Sequence, residues 1–353
     1  MSEAALRGHS WDMRDKRRLR TSHVDGPGIS RVRRGRGFAY KDASGRPISD
    51  PQEKERLRRL AVPPAWRDVW ICPWPNGHLQ AVGTDAAGRR QYLYHPRFRE
   101  RQETAKHDHV LEVARALPEV RSQVTEDLGR RGLCRERVLA CAVRLLDLGF
   151  FRVGNDSYRR DNGTYGLTTL LKEHASCQAG EVTLTYPAKY SKTQTRALVD
   201  PPACSVLRAL LRRGGGGQRL FAYWQGGAWH ELDAAELNDY LRHRAGRDIT
   251  AKDFRTWHAT VLAAVALAVS ARVGRESRAA RKRAVARAVR EVSGYLGNTP
   301  AVCRASYINP RVVELFDEGR TIADALEQLG DSAAFGHPAT QGAIEEAVLR
   351  LLA

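Results

Sequence analysis

The chain predicts an α+β protein, with a small antiparallel β-rich domain followed by a larger, mainly α-helical domain that contains a small β-hairpin sheet. Three observations carry this. Residues 63–96 break into short alternating runs separated by turn residues. From about residue 100, apolar residues recur at helical spacing. Inside that helical stretch, EVTLTY (181–186) and TQTRALV (193–199) alternate as two strands joined by PAKYSK. The expected organisation is a basic arm over 1–36, a β-rich domain over 37–100 and a helical domain over 101–353.

In order along the chain, the arm is dense in arginine, with DKRRLR at 15–20 and RVRRGRG at 31–37. Such blocks are solvated or lie on a phosphate backbone. Residues 50–60 (DPQEKERLRRL) fit a helix with acids early and bases late, matching its dipole. Strands follow at 68–72, 78–82 and 90–94. On the last, Tyr92 and Tyr94 are two apart and share a face beside Arg89, Arg90 and Gln91. That face either contacts phosphates and base edges in a groove or packs across strands. His107 and His109 have no third ligand nearby and read as a solvated helix start. Helices are expected at 134–148, 164–174 and 200–213. RGGGGQ (213–218) is a flexible loop without a phosphate-cradle signature. A further helix covers 250–270, opened by Thr250 and Asp253 in a capping-box pattern, with Lys252 and Arg255 on one face. Eight basic residues against one acid mark 272–290, and 322–353 is amphipathic.

The formal net charge of +18 implies a polyanionic partner, with nucleic acid favoured. No apolar run reaches membrane-spanning length; the longest, 261–269, reads as a buried helix. The first residues lack an apolar h-region, so no secretory signal is expected. Six cysteines without metal-ligand spacing are expected to be reduced thiols in a cytoplasmic protein, and no metal site or cofactor is expected.

LGNTPAVCRASYINP (296–310) concentrates the chemistry. Gly297 suits a left-handed helix stop, Thr299–Pro300 an N-cap and first-turn pair, and Tyr307 falls near the end of the short helix before Pro310. A phenol so presented in a very basic protein suits nucleophilic attack on phosphate, although most tyrosines only pack. Within FFRVGNDSY, Arg152 lies among apolar neighbours, where a guanidinium needs either a phosphate or a carboxylate.

Taken together, PPAWRDVWICPWPNGHLQAVGTDAAGRRQYLYHP (63–96), FFRVGNDSY, TYGLTTL, TAKDFRTW and GNTP…SY resemble the type IB DNA topoisomerases, particularly the bacterial and poxvirus-like branch. The resemblance covers roughly residues 60–315. It implies a two-domain clamp on duplex DNA that relaxes supercoils by transient single-strand cleavage, without ATP or an obligatory metal, in a cytoplasmic, nucleoid-associated monomer. Position by position, Tyr307 matches the nucleophile esterified to the 3′-phosphate. Arg152 and Arg255 match the arginines that hold the scissile phosphate, and Lys189 the general acid. Asn298 stands where poxvirus and eukaryotic members carry histidine. An amide donates a hydrogen bond but transfers no proton, so Asn298 is assigned transition-state stabilisation only. Arg89, Arg90, Gln91, Tyr92, Tyr94, Tyr158 and Lys252 are the candidate DNA contacts. One departure is Ala188 where the family carries glycine before the hairpin lysine; with Lys192 close by, the general acid is Lys189 or Lys192.

Two rivals remain at this level. Tyrosine recombinases share the Tyr, Arg and Lys chemistry but carry H-x-x-R, where this chain has Lys252 three before Arg255. The other is a basic protein that coats DNA without cutting it.

Overall fold

The computed structural model describes residues 18–188, 192–271, 277–330 and 341–353. Contacts within the chain divide it into two compact units, 1–106 and 107–353.

The first unit is built on a five-stranded antiparallel sheet. Its strands are β1 (Ile29–Arg34), β2 (Gly37–Lys41), β3 (Arg67–Ile71), β4 (Leu79–Thr84) and β5 (Arg90–Tyr94), in the spatial order β2-β1-β3-β4-β5. Helix α1 (Pro51–Arg59) is capped by Asp50, which accepts from the Gln52 N–H at 3.0 Å. The inward residues Ile29, Leu57, Val69, Ile71 and Ala81 make this unit's core. The expected N-terminal arm is therefore shorter at its C-terminal end than 1–36. Residues 29–34 pair with β2 and β3 because Ile29 is buried and Arg31 donates to the carbonyls of Val62, Pro63 and Trp66. Burial of one apolar residue and satisfaction of one guanidinium outweigh the solvation of an arginine-rich run.

The helical unit begins within α2 (Pro96–Leu128), which buries His107, Val110, Val113 and Leu117; His107 is thus a core residue rather than a solvated helix start. Then come α3 (Arg135–Gly149) and α4 (Asp156–Asn162). A three-stranded antiparallel sheet follows: β6 (Ala175–Gln178), β7 (Glu181–Ala188) and β8 (Lys192–Val199). After α5 (Pro201–Arg212) comes the two-stranded hairpin β9 (Ala222–Gln225) and β10 (Ala228–Glu231). The remaining helices are α6 (Ala234–Ala245), α7 (Ala251–Ala271), α8 (Arg278–Leu296), α9 (Pro300–Ser306), α10 (Pro310–Asp317), α11 (Ala323–Gly330) and α12 (Ala343–Leu352). Helix α7 is long and apolar enough to cross a bilayer, but it is two-thirds buried as the central core helix of this unit.

Two expectations are corrected here. Residues 164–174 are not one helix; only single 3-10 turns form, at Leu167–Thr169 and Lys172–His174. The backbone is instead drawn alongside residues 152–154, with the N–H groups of Leu167 and Thr168 donating to the carbonyls of Arg152 and Val153 at 2.8 and 2.7 Å. The loop at 213–218 wraps the buried Arg213 guanidinium, which donates to the Leu210, Gly215 and Leu220 carbonyls. Cys177 and Cys204, brought together where β6 meets α5 with Cα atoms 5.7 Å apart, form a disulfide rather than two free thiols.

Candidate active site

Tyr307 is placed by a chain of helix stops. Helix α8 ends where Gly297 turns left-handed, φ +62°, and the Asn298 N–H returns to the Ser293 carbonyl at 3.0 Å. Thr299 caps α9 and Pro300 opens it, as the sequence predicts. Tyr307 follows the last turn, its N–H donating to the Cys303 carbonyl at 3.0 Å. Helix α7 then pins this turn from below. The buried Thr260 hydroxyl accepts from the Asn309 N–H at 3.1 Å and lies 3.3 Å from the Tyr307 carbonyl. Tyr307 itself is half-buried, with the Arg255 guanidinium carbon 5.6 Å from its ring centroid.

Arg255 is only 4 % exposed, and no carboxylate among the described residues neutralises it. It donates to the carbonyls of Phe150 and Leu296, the second at 2.8 Å. Arg152 donates to the Gly297 carbonyl at 3.1 Å and to Asn298 Oδ1. Both guanidiniums thus rest on the carbonyl ends of α3 and α8, where the helix dipole is negative but carries no full charge. Phe150 delivers its carbonyl from a left-handed backbone, φ +57°, at the end of α3. For a bulky side chain that conformation is strained, and its ring is held edge-on to His258 at 5.2 Å. Burial, then the neighbouring Arg152, push the Arg255 guanidinium down to about 10, so it is still a cation near neutrality. Two polar atoms here are buried without a partner among the described residues, Arg255 Nε and Asn298 Nδ2. Each unsatisfied donor costs about 1–3 kcal/mol, a cost that an incoming anion would relieve. The salt-bridge alternative for Arg152 finds no carboxylate among the described residues.

Two cavities share this arginine pair. One, about 340 Å³, is lined by Tyr307, Lys252, Asn155 and Tyr165 with both arginines. The other, about 420 Å³, is lined by Asn298, Tyr186, Ala188 and Gln194 with both arginines. Exposed Lys252 joins the first, as its spacing from Arg255 suggests. The hairpin β7–β8 borders the second, with Ala188 paired to Lys192. Lys189 lies outside the described residues, as do the side chains of Lys192 and Tyr158.

In the first unit, Arg90, Tyr92 and Tyr94 share one face of β5, with the two phenol rings stacked at 6.2 Å and both exposed. Arg89 and Gln91 are turned to Asp85, with Arg89 paired at 2.8 Å and Gln91 donating at 2.9 Å. The structure therefore separates these two from the tyrosine face.

The family model described as the eukaryotic DNA topoisomerase I catalytic core matches residues 95–330, more than half of the chain, and so covers every residue of the helical site. The chain belongs to the type IB DNA topoisomerases. The bacterial DNA topoisomerase IB N-terminal domain model matches residues 37–85. The DNA topoisomerase 1B of Acanthamoeba polyphaga mimivirus is 27% identical over 295 residues, 82% of this chain and 87% of its own length. That of vaccinia virus is 26% identical over 149 residues, 40% of this chain and 47% of its own. For a type IB topoisomerase the substrate is duplex DNA, and its reaction is an isomerisation.

Several residues that shape this topoisomerase site escaped the sequence reading. Gly154, φ +102°, and Gly166 cross so closely that a Cβ on Gly166 would fall 2.5 Å from the Gly154 Cα. That contact brings the 166–168 backbone beside Arg152 and helps explain why 164–174 is not helical. The glycines of FRVG and TYGL were visible as letters, but only the fold shows that they face each other. Thr260 gave no signal of this role, since beyond the Thr256 carbonyl within its own helix its partners lie 47 and 49 positions away.

Proposed function

We propose that this type IB topoisomerase relaxes supercoiled duplex DNA through Tyr307, acting as a monomer in the cytoplasm. The observation that carries the reading is the pair Arg152 and Arg255, held on neutral carbonyls beside the Tyr307 ring, with the Asn298 amide N–H unpartnered. A pentacoordinate phosphorus gathers negative charge on its equatorial oxygens, and preorganised cations and donors that need no reorientation stabilise it.

In the forward step the Tyr307 Oη–P bond forms as the P–O5′ bond breaks. The phenol loses its proton and the departing O5′ gains one, so charge and atoms balance. Lys189 is the assigned donor of that proton, with Lys192 as the alternative at the same hairpin. The phosphotyrosine keeps the bond energy of the phosphodiester, so the reverse step reseals the strand without ATP. Between the two steps the free 5′ end rotates and supercoils relax. Lys252, Tyr158, the Arg90–Tyr92–Tyr94 face and, from the turn beside it, Arg89 and Gln91 are assigned to DNA contact. The helical unit is assigned the catalytic fold shared with tyrosine recombinases.

The test is relaxation of a supercoiled plasmid in EDTA without ATP, with the unchanged chain and Tyr307→Phe side by side. Relaxation by the first and none by the second is expected, together with a denaturant-trapped covalent DNA adduct in the first alone. Binding by both without relaxation would replace catalysis by DNA coating, and equal relaxation by both would remove Tyr307 from the reaction.

A further inference from the structure

The larger cavity beside the arginine pair carries more positive charge than the scissile phosphate accounts for. Arg152, Arg255, Arg196 on β8 and Arg290 on α8 all line it, and no aspartate or glutamate does among the described residues. Gln194, Ser293 and Asn298 add neutral polar groups to the same wall. A phosphodiester has one negative charge, and even its transition state only about two. Four guanidiniums facing one such group would leave uncompensated cations in a partly enclosed space, which is costly.

One member of the extra pair, Arg196, is held in place. Arg196 is half-buried and donates to the Tyr295 carbonyl near the end of α8. Arg290 is exposed, its side chain has no hydrogen-bond or ion-pair partner among the described residues, and its backbone carbonyl accepts from Ser293 Oγ at 2.7 Å. Tyr186 lies at the bottom of the cavity, 6 % exposed. Burial raises its phenol above the ordinary range, while Arg196, Arg255 and Arg152 pull it the other way.

The two cavities also differ in their lining. Tyr307 lines the smaller one and not the larger, whereas the larger is bordered by Tyr186, Ala188, Gln194 and Arg196 of the hairpin. Phosphoryl transfer keeps the attacking and leaving oxygens roughly in line. A phenol that lines the smaller cavity and in-line geometry are compatible with a leaving O5′ directed at the larger cavity, which shares both arginines.

We propose that Arg196 and Arg290 form a second phosphate subsite, which holds the phosphodiester immediately 3′ of the scissile one, on the strand that departs with its 5′-hydroxyl. This rests on the assignment of Tyr307 as nucleophile and of Arg152 and Arg255 to the scissile phosphate. Its consequence is mechanical. The departing end is retained close to the phosphotyrosine by a charge contact, which favours accurate cleavage geometry and prompt resealing.

The experiment is single-turnover cleavage of a synthetic duplex by the full chain, after its cleavage site has been mapped through the covalent adduct. A neutral methylphosphonate replaces the phosphate 3′ of the scissile one. A charge-assisted contact to phosphate predicts that Arg290→Ala slows cleavage of the ordinary duplex by about tenfold. The methylphosphonate should slow the unchanged chain by a similar factor, and Arg290→Ala should lose little more on the modified duplex. Arg196→Gln, checked for an unchanged melting transition, should behave alike. Arg350→Ala, which removes a distant exposed cation, should cleave both duplexes like the unchanged chain. Multiplying effects of variant and methylphosphonate would overturn the subsite, as would coupling confined to the phosphate on the 5′ side. If the unchanged chain fails to cleave the unmodified duplex, the topoisomerase reading falls and the subsite with it.

Discussion

Along α7, two kinds of buried charge lie only a few residues apart. Arg255 and its neighbour Arg152 meet carbonyl dipoles and an amide but, among the described residues, no carboxylate. Near Trp257 and His258, by contrast, Arg121 is closed off by two acids. Asp147 accepts from Arg121 at 2.7 Å, from His258 at 3.0 Å and from Gln341 at 2.8 Å. Glu345 accepts from Arg121 at 2.5 Å and from the Trp257 indole at 2.7 Å, joining α12 to α2 and α7. The same residue type is therefore structural in one place and available for a ligand in the other. What separates them is whether a full negative charge is already present. A guanidinium met by two carboxylates has no electrostatic work left for a phosphate, while one held only by dipoles keeps its charge for an incoming anion.

The most direct way to break the contrast is to make the first region resemble the second. Asn298→Asp sets a carboxylate against Arg152, replacing the unpartnered N–H with an acceptor. We expect the cleavage rate to fall by about 10²–10³, the cost of losing one transition-state donor, with further loss from charge neutralisation. Burst kinetics on a short duplex would measure it, and a variant as fast as the unchanged chain would remove Asn298 from the site.

The reverse change opens the structural network. Glu345→Gln leaves Arg121 with one acid instead of two, and breaking a buried pair by removing one partner costs about 3 kcal/mol or more. Denaturant unfolding followed by tryptophan fluorescence should show that loss, while relaxation persists at low temperature. Loss of relaxation with unchanged stability would mean that α12 acts on the chemistry rather than on the fold.

A smaller effect comes from pH. Burial by itself would raise the Asp147 carboxyl, but hydrogen bonds from His258 and Arg121 outweigh it and hold the group well below the ordinary carboxylate range. A depressed folded-state pKa contributes stability that is present above the unfolded value, about 3.9, and is lost as pH falls below it. The slope is at most about 1.4 kcal/mol per pH unit from this one group. Melting curves between pH 5 and 3 should therefore be shallower for Asp147→Asn than for the unchanged chain, and identical slopes would contradict the assignment.

Much of the frame was legible because its signals are local. Asp50, Thr250 and Thr299 start helices where they should, Gly297 stops one, and β5 falls on residues 90–94. Caps and alternation depend on neighbours a few positions apart, so a string of residues contains them. The misreadings share the opposite cause. Residues 164–174 have the apolar content of a helix but were claimed by backbone bonds to Arg152 and Val153. Residues 29–34 look like a solvated basic run, yet they take a sheet position fixed by partners at 37–41 and 70–71.

For the site itself, sequence alone named Tyr307, Arg152, Arg255, Lys252 and Asn298, and the family they resemble, because each sits in a short motif. Tertiary structure alone decided which charges are left uncompensated. It brought the last carbonyls of α3 and α8 under two arginines, separated Arg89 and Gln91 from the tyrosine face, and gathered Arg196 and Arg290 into the same cavity. Residue type sets the charge that a side chain carries. Only the packed chain, by bringing a carboxylate near or keeping it away, decides whether that charge is free to bind.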